Sequence, residues 1–278
     1  MILLLKRICR EPMGLLGLVL VVLISLSALL ASVIAPHDPI ALNIVDRLQG
    51  PSANYILGTD QLGRDLFSRV LYGGQVALKV ALISIALALS IGVLLGMLAG
   101  FGPSWLDNLI MLFFDTIRSF PTVMFALATV ALVGPSLSTV IVVIVITSIP
   151  NYGRVIRTQT LTIKNNEFIQ AERVMGASLG RILWVHVLPN VMGPLMILAS
   201  MDIPTVVALE AGLSFLGMGV KPPTPSWGSI LNDGYTLIRN TPWPIIAGSL
   251  PLVLITLGFT FLGESLRDLI DPKLRKSL

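Results

Sequence analysis

The chain has 278 residues, of which 54% are hydrophobic and only 12% charged, with a mean hydropathy of +0.87 and a formal net charge of +4. Soluble domains carry about a quarter charged residues, so this balance excludes a water-soluble fold and predicts an integral membrane protein. It also argues against nucleic-acid binding, because the basic residues flank apolar runs instead of forming one basic surface.

The length predicts one membrane domain of several helical spans without an appended soluble enzyme. The single cysteine, Cys9, lies among Lys6, Arg7 and Arg10, and rules out an intrachain disulfide. Residues 1–12 read as a basic cytoplasmic N-terminus and 13–35 as a first span. At roughly 23 residues that run exceeds the 7 to 15 of a signal-peptide core, so it reads as uncleaved; a cleaved signal is the alternative.

Residues 36–75 are too polar for hydrocarbon and read as an aqueous loop. Within it, Gly58-Thr59-Asp60 predicts a turn feeding a short helix in which Asp60, Arg64 and Asp65 pair locally. The second span, 76–100, places Ser84, Ala88, Gly92, Gly96 and Gly100 at four-residue intervals. Such a face predicts close contact with another span, since packing drives helix association in lipid.

A third span is expected over 106–132, with Asp115 and Arg118 on one helical face ahead of Phe120-Pro121. A charge in the bilayer costs about 2.5 to 3.5 kcal/mol on insertion scales, so both are expected to face protein or water and to pair with each other. They read either as pathway groups or as a structural ion pair at the headgroups. A fourth span opens at 137, its strongly apolar part ending near Pro150 and Tyr152.

Residues 165–190 are the long polar interruption of the C-terminal half. Asn165 and Asn166 suit a helix start, Glu167 sits in the first turn, and Gly176 supplies a stop. Phe168, Ala171 and Met175 recur at helical spacing with Gln170, Glu172 and Arg173 beside them, which predicts a short amphipathic helix needing a partner. Ser178 is expected to cap a second short helix through Arg181, Trp184 and His186, ended by Pro189 and Asn190.

The fifth span, 191–212, holds Asp202, Pro204 and Glu210. Asp202 beside the Pro204 weak point is the preferred pathway-lining carboxylate, with a structural hydrogen bond as the alternative; Glu210 reads as structural. The proline-rich loop from 214 to 243 carries Trp227, an interfacial anchor or a partner contact. A sixth span, 244–262, closes a transmembrane core of 76–264 and leaves a basic tail, 265–278.

Of 19 Lys and Arg residues, 12 fall in the N-terminus, the 154–181 segment and the tail, and six on the opposite side. The positive-inside bias therefore predicts that both termini and the polar loop are cytoplasmic. There is no Gly-rich phosphate loop ending in Lys-Ser or Lys-Thr, and the two histidines, His37 and His186, are far apart, so neither a bound nucleotide nor a metal is expected in this chain.

Four stretches carry a resemblance. Gln170-Ala171-Glu172, then Gly176, then Leu188-Pro189 resembles the EAA loop of ABC-importer permeases in spacing, with Gln170 replacing the family's Glu, Glu172 its second Ala and His186 its Ile. Residues 58–73 and the stretches WLDNLIMLFFDTIRSFP and LEAGLSFLGMGVKPPTPSWG resemble the C-type permease subunits of the dipeptide, oligopeptide and nickel importers.

The resemblance implies an all-α, six-span type I ABC-importer permease in a bacterial inner membrane, with a cytoplasmic coupling helix and no catalysis of its own. It implies four kinds of partner: a second homologous permease, two ATP-binding subunits or domains that bind ATP and Mg, an extracytoplasmic substrate-binding protein, and the lipid bilayer. On this reading Glu167, Phe168, Gln170, Ala171, Glu172, Met175, Gly176 and Arg181 contact the ATPase. Asp115, Arg118 and Asp202 are candidates for the pathway, and Asp60, Arg64, Asp65 and Trp227 for a periplasmic partner face. The rival class is a secondary transporter or channel using the intramembrane carboxylates; a non-transporting scaffold is the third.

Overall fold

The computed structural model describes residues 8–270, so Lys6, Arg7 and the tail's Lys273, Arg275 and Lys276 lie outside the described residues. Among these residues the regular structure is helical, with one isolated antiparallel bridge between Thr59 and Asp65. We number the main helices α1 (Pro12–Leu29), α2 (Leu66–Phe101), α3 (Ser104–Arg118), α4 (Thr122–Val133), α5 (Leu137–Lys164), α6 (Glu167–Val174), α7 (Leu179–Phe215), α8 (Trp227–Thr236) and α9 (Trp243–Ile270).

Five of these, α1, α2, α5, α7 and α9, are long and apolar enough to cross a membrane. A sixth crossing requires α3 and α4 together, and they are bent by 84° at their junction. The expectation of one helix over 106–132 is therefore corrected. Pro121 is the cause: it disfavours helical backbone at the residue before it and cannot donate to the ladder. The 15 residues of α3 rise only about 22 Å, short of a hydrocarbon core of about 30 Å.

The chain forms two compact units. One holds the described parts of Met1–Leu82, Ala126–Ile141 and Met201–Leu278, the other Ile83–Phe125 and Val142–Ser200. In the first, α1 lies along α9. A Cβ added at Gly17 would stand 2.6 Å from the Leu262 nitrogen, and Ser265 Oγ donates to Glu11 Oε2 at 2.7 Å. The start of α1 and the end of α9 thus lie together. The same unit buries Leu66, Ile230 and Ala247 against Leu57, Val70 and Trp243.

In the second unit the small-residue face of α2 meets α5. Cβ atoms added at Gly92, Gly96 and Gly100 would fall 2.7 Å from Tyr152 Cβ, 2.5 Å from the Gly153 carbonyl and 2.8 Å from Thr160 Cβ respectively. Both series climb together, so α2 and α5 run parallel and end at the same level. On its other side Gly153 receives the fully buried Phe114 ring of α3, whose Cζ is 2.3 Å from a Cβ added there. Only a residue without a side chain admits both neighbours.

Two further expectations change. The fourth span passes Tyr152 as expected, but Arg154 and Arg157 do not lie in a segment after it: α5 continues through them to Lys164, because α3 supplies acidic partners for those arginines. Nor do Pro189 and Asn190 end a helix. Residues Ile182–Val187 widen into a π-helical stretch, and α7 runs on to Phe215. Widening the turn displaces the carbonyl four residues before Pro189, which the proline ring would otherwise strike.

Candidate functional site

The segment after α5 forms a short, outward-facing helix. Asn166 has the extended backbone of a capping residue, and its carbonyl accepts from the N–H groups of Ile169 at 3.0 Å and Gln170 at 3.2 Å. Glu167 is the acidic first-turn residue, favoured by the helix dipole. The helix ends at Gly176, whose φ of +79° is a left-handed conformation that glycine adopts without strain. Its N–H donates to the Arg173 carbonyl at 3.0 Å and that of Ala177 to the Glu172 carbonyl at 2.9 Å, which satisfies the terminal acceptors of α6.

Only Ile169 points into the protein, fully buried. Glu167, Phe168, Gln170, Ala171, Val174, Met175 and Gly176 are exposed, Val174 at 89% and Met175 at 72%. An apolar stripe of Phe168, Ala171, Val174 and Met175 therefore faces away from the chain, widening the predicted stripe by Val174. Among the described residues nothing stands within 4 Å of a Cβ at Gly176.

Three contacts hold this helix. Gln170 Nε2 donates to the Asn165 carbonyl at 3.2 Å, Glu172 Oε1 lies 3.4 Å from His186 Nε2 on α7, and the Arg173 guanidinium sits 4.5 Å over the Phe101 ring at the end of α2. Glu172 and Arg173 are thus partly committed within the chain. Arg181 is exposed, its N–H capped by Ser178 Oγ at 3.3 Å.

Asp115 and Arg118 do not pair with each other. Asp115 forms its ion pair with Arg154, and Arg118 Nη1 donates to Asn151 Oδ1 at 2.9 Å. A third rung, Arg157 to Asp107, is bidentate at 2.5 and 2.6 Å. The rungs ascend α3 as they descend α5, so the two helices are antiparallel. Close packing through Gly153 brings the arginines of α5 nearer to these carboxylates than Arg118 is. Asp202 is half-buried on α7, two residues before Pro204, and the helix passes through that proline unbroken.

Asp60, Arg64, Asp65 and Trp227 come together, but inside the protein, at 1%, 7%, 2% and 1% exposure. Asp60 Oδ1 accepts from the N–H groups of Leu62 at 2.8 Å and Arg64 at 3.0 Å, and Oδ2 from Arg64 Nε at 2.6 Å. Arg69 Nε lies 3.5 Å from the same oxygen, and Asp233 on α8 faces both arginines at 3.4 and 3.9 Å. Asp65 Oδ2 accepts from the Ser68 N–H at 3.0 Å and hydroxyl at 2.5 Å, with His37 Nδ1 at 3.5 Å.

Trp227 Nε1 donates to the Val70 carbonyl at 2.9 Å, and its ring packs on Gly73 and Gly74. The expectation that these four side chains face a partner is corrected by their burial: Asp60 and Arg64 join Asp233 of α8 to the start of α2, Trp227 of α8 packs on α2, and Asp65 is bonded to Ser68. Local pairing of Asp60 with Arg64 was legible from the i, i+4 spacing. Arg69 and Asp233 carried no comparable local signal.

Residues 92–276 match the family model described as binding-protein-dependent transport system inner membrane component, and residues 2–51 match that of the N-terminal TM domain of oligopeptide transport permease C. The dipeptide transport system permease protein DppC of Alkalihalophilus pseudofirmus is 36% identical over 97% of this chain and 89% of its own length. The di/tripeptide transport system permease protein DppC of Pseudomonas aeruginosa is 38% identical over 94% of this chain and 88% of its own length. The glutathione transport system permease protein GsiD of Escherichia coli is 38% identical over 97% and 89%. Among solved structures, an inward-facing conformation of the MetNI methionine ABC transporter superposes with a TM-score of 0.59 at 20% identity, covering 73% of this chain and 97% of that one.

Proposed function

Because this chain belongs to the family of binding-protein-dependent transport system inner membrane components, as a DppC/OppC-like permease subunit of an ABC importer, we propose that it forms half of an import pathway for peptides or a related small solute. The names of its relatives support a peptide-class substrate, with nickel complexes and opines as the alternative solutes. A second permease supplies the other half. Two ATPase subunits or domains bind ATP and Mg, and an extracytoplasmic binding protein delivers the solute.

The observation that carries the coupling part of this reading is the outward apolar stripe of α6. An exposed Phe168, Val174 and Met175 on so short a helix is unfavourable in water and suits a groove on another protein. Ala171 completes that stripe, Glu167, Gln170, Gly176 and Arg181 border it, and Glu172 buttresses it through His186. ATP-driven closure of the ATPases pushes α6, and differential contact in the two states biases the helices joined to it.

We assign residues 1–12, the 165–190 loop and the tail to the cytoplasm of a bacterial inner membrane, residues 13–35 to the first span and the 36–75 loop to the periplasm. The lysine and arginine bias supports that orientation. Asp202, Asp115 and Arg118 are the polar groups we assign to the neighbourhood of the pathway, since each keeps part of its side chain outside the packed interior.

The test is co-purification of the tagged chain from its native membrane, wild type against Met175→Asp. A second permease and the ATPases are expected with the wild type, and the ATPases alone are expected to be lost from the variant. A wild-type chain that purifies without any ATPase and still moves solute in liposomes would overturn the reading in favour of a secondary transporter.

A further inference from the structure

Three helix ends converge on one aromatic ring. Phe101 is the last residue of α2, Lys164 the last of α5, and Arg173 lies in the last turn of α6. Lys164 Nζ donates to the carbonyls of Gly100 at 3.2 Å and Phe101 at 3.3 Å, and stands 5.5 Å from the centre of the Phe101 ring. The Arg173 guanidinium is 4.5 Å over that ring. The cation of Lys164 thus satisfies terminal carbonyls at the negative end of α2, while the ring presents its electron-rich face to a second cation.

Chain connectivity alone gives α6 no hold on α2. The helix is joined to α5 by Asn165 and Asn166, the latter in an extended conformation, and to α7 through Gly176. Joined at both ends by such backbone and seated through Ile169, the helix can still tilt about that buried residue. Two side-chain contacts stop that tilt: Glu172 with His186 on α7, and Arg173 with Phe101 on α2. The second is the one that reaches a span distant in sequence.

We propose that Phe101, Arg173 and Lys164 are positioning residues that act as a transmission clamp, passing displacement of the coupling helix into α2. This rests on the docking role of α6 proposed above. The span it grips is packed through its glycine face on α5, so a push on α6 moves α2 and α5 as one block instead of flexing the joint between α5 and α6. A single exposed cation–π contact is too weak to hold the fold, so its removal separates transmission from assembly.

The experiment uses the whole importer, with second permease, ATPases and binding protein, reconstituted in liposomes. Phe101→Leu and Arg173→Gln are each compared with wild type for ATPase retention, ATP hydrolysis and solute taken up per ATP. Both variants are expected to retain the ATPases and to hydrolyse ATP, with uptake per ATP falling about two- to five-fold, the change that an exposed cation–π contact can carry. The double variant is expected to be no worse than either single one, because the two side chains act as a unit. Phe101→Tyr and Arg173→Lys, which keep the ring and the cation, are expected to restore uptake.

Unchanged uptake per ATP in both single variants would overturn the clamp, as would loss of the ATPases from Phe101→Leu, which would make the ring a docking contact. Failure of the docking reading itself is seen separately, as a wild-type chain that brings no ATPase with it.

Discussion

Two polar segments interrupt the apolar runs of this chain, and they reach opposite solutions. Around the start of α2, Asp60, Arg64, Asp65, Arg69 and Trp227 turn inward: Asp60 pairs with both arginines, Asp65 accepts from Ser68, and the Trp227 indole donates to the Val70 carbonyl. Along α6, Phe168, Val174 and Met175 turn outward and stay exposed among the described residues. The first segment spends its chemistry on its own fold, with charges paired and the indole N–H bonded. The second leaves an apolar stripe whose burial needs another molecule, which is the property expected of a docking element in a permease subunit.

The sharpest way to break that contrast is to unpair the inner network. Asp60→Ala leaves Arg64 and Arg69, whose side chains are 8% and 3% exposed, with Asp233 as their remaining carboxylate. Breaking a buried pair from one side costs about 3 to 5 kcal/mol. The expected outcome is loss of the chain from the membrane, or a much lower melting temperature of the detergent-solubilised complex. A variant that accumulates and melts like the wild type would show that the cluster is solvated and that Asp60 is free to meet a partner after all.

A smaller, qualitatively different effect is expected at α6. Phe168→Asp removes an exposed apolar contact, so thermal stability of the isolated chain should stay within about 0.5 kcal/mol of wild type. ATPase affinity should fall by about ten-fold or more, the loss typical of an interface hot spot, as read by titrating the ATPases onto the purified permease. Parallel loss of stability would place Phe168 in the fold, and the contrast between the two regions would collapse.

How much of this was legible in the sequence follows from the range over which each signal acts. The helix from Glu167 to Val174 was readable because its start, its stripe and its stop at Gly176 are all local. The burial of Asp60 and Arg64 was not, because Asp233, which faces Arg64, lies more than 150 residues away. The same holds for α5, which outlasts its apolar run because Asp107 and Asp115 of another helix meet Arg157 and Arg154. The break at Pro121 was legible in principle, since a proline inside a span always bears on the residue before it, and hydropathy alone hid it. Pro189 carried the opposite lesson: a π-helical stretch one turn earlier lets the helix run on.

The smallest expected effect concerns the position where the chain departs from the family's acidic residue. Gln170 is exposed on α6, and its amide donates to the Asn165 carbonyl at 3.2 Å. Gln170→Glu replaces that donor by an acceptor, which loses the bond, and adds a negative charge in the first half of a helix, where the dipole favours it. The two changes oppose each other, and exposed dipole effects of this kind amount to about 0.3 to 1 kcal/mol. Stability is therefore expected to be indistinguishable from wild type in a thermal melt. ATPase affinity separates two ways of docking: if the apolar stripe supplies the binding, Gln170→Glu leaves it within about two-fold, a rim-charge effect. An increase of about ten-fold, abolished by high salt, would instead mean that the groove offers a cation to this position and that this chain holds its ATPases more loosely for lacking the acid.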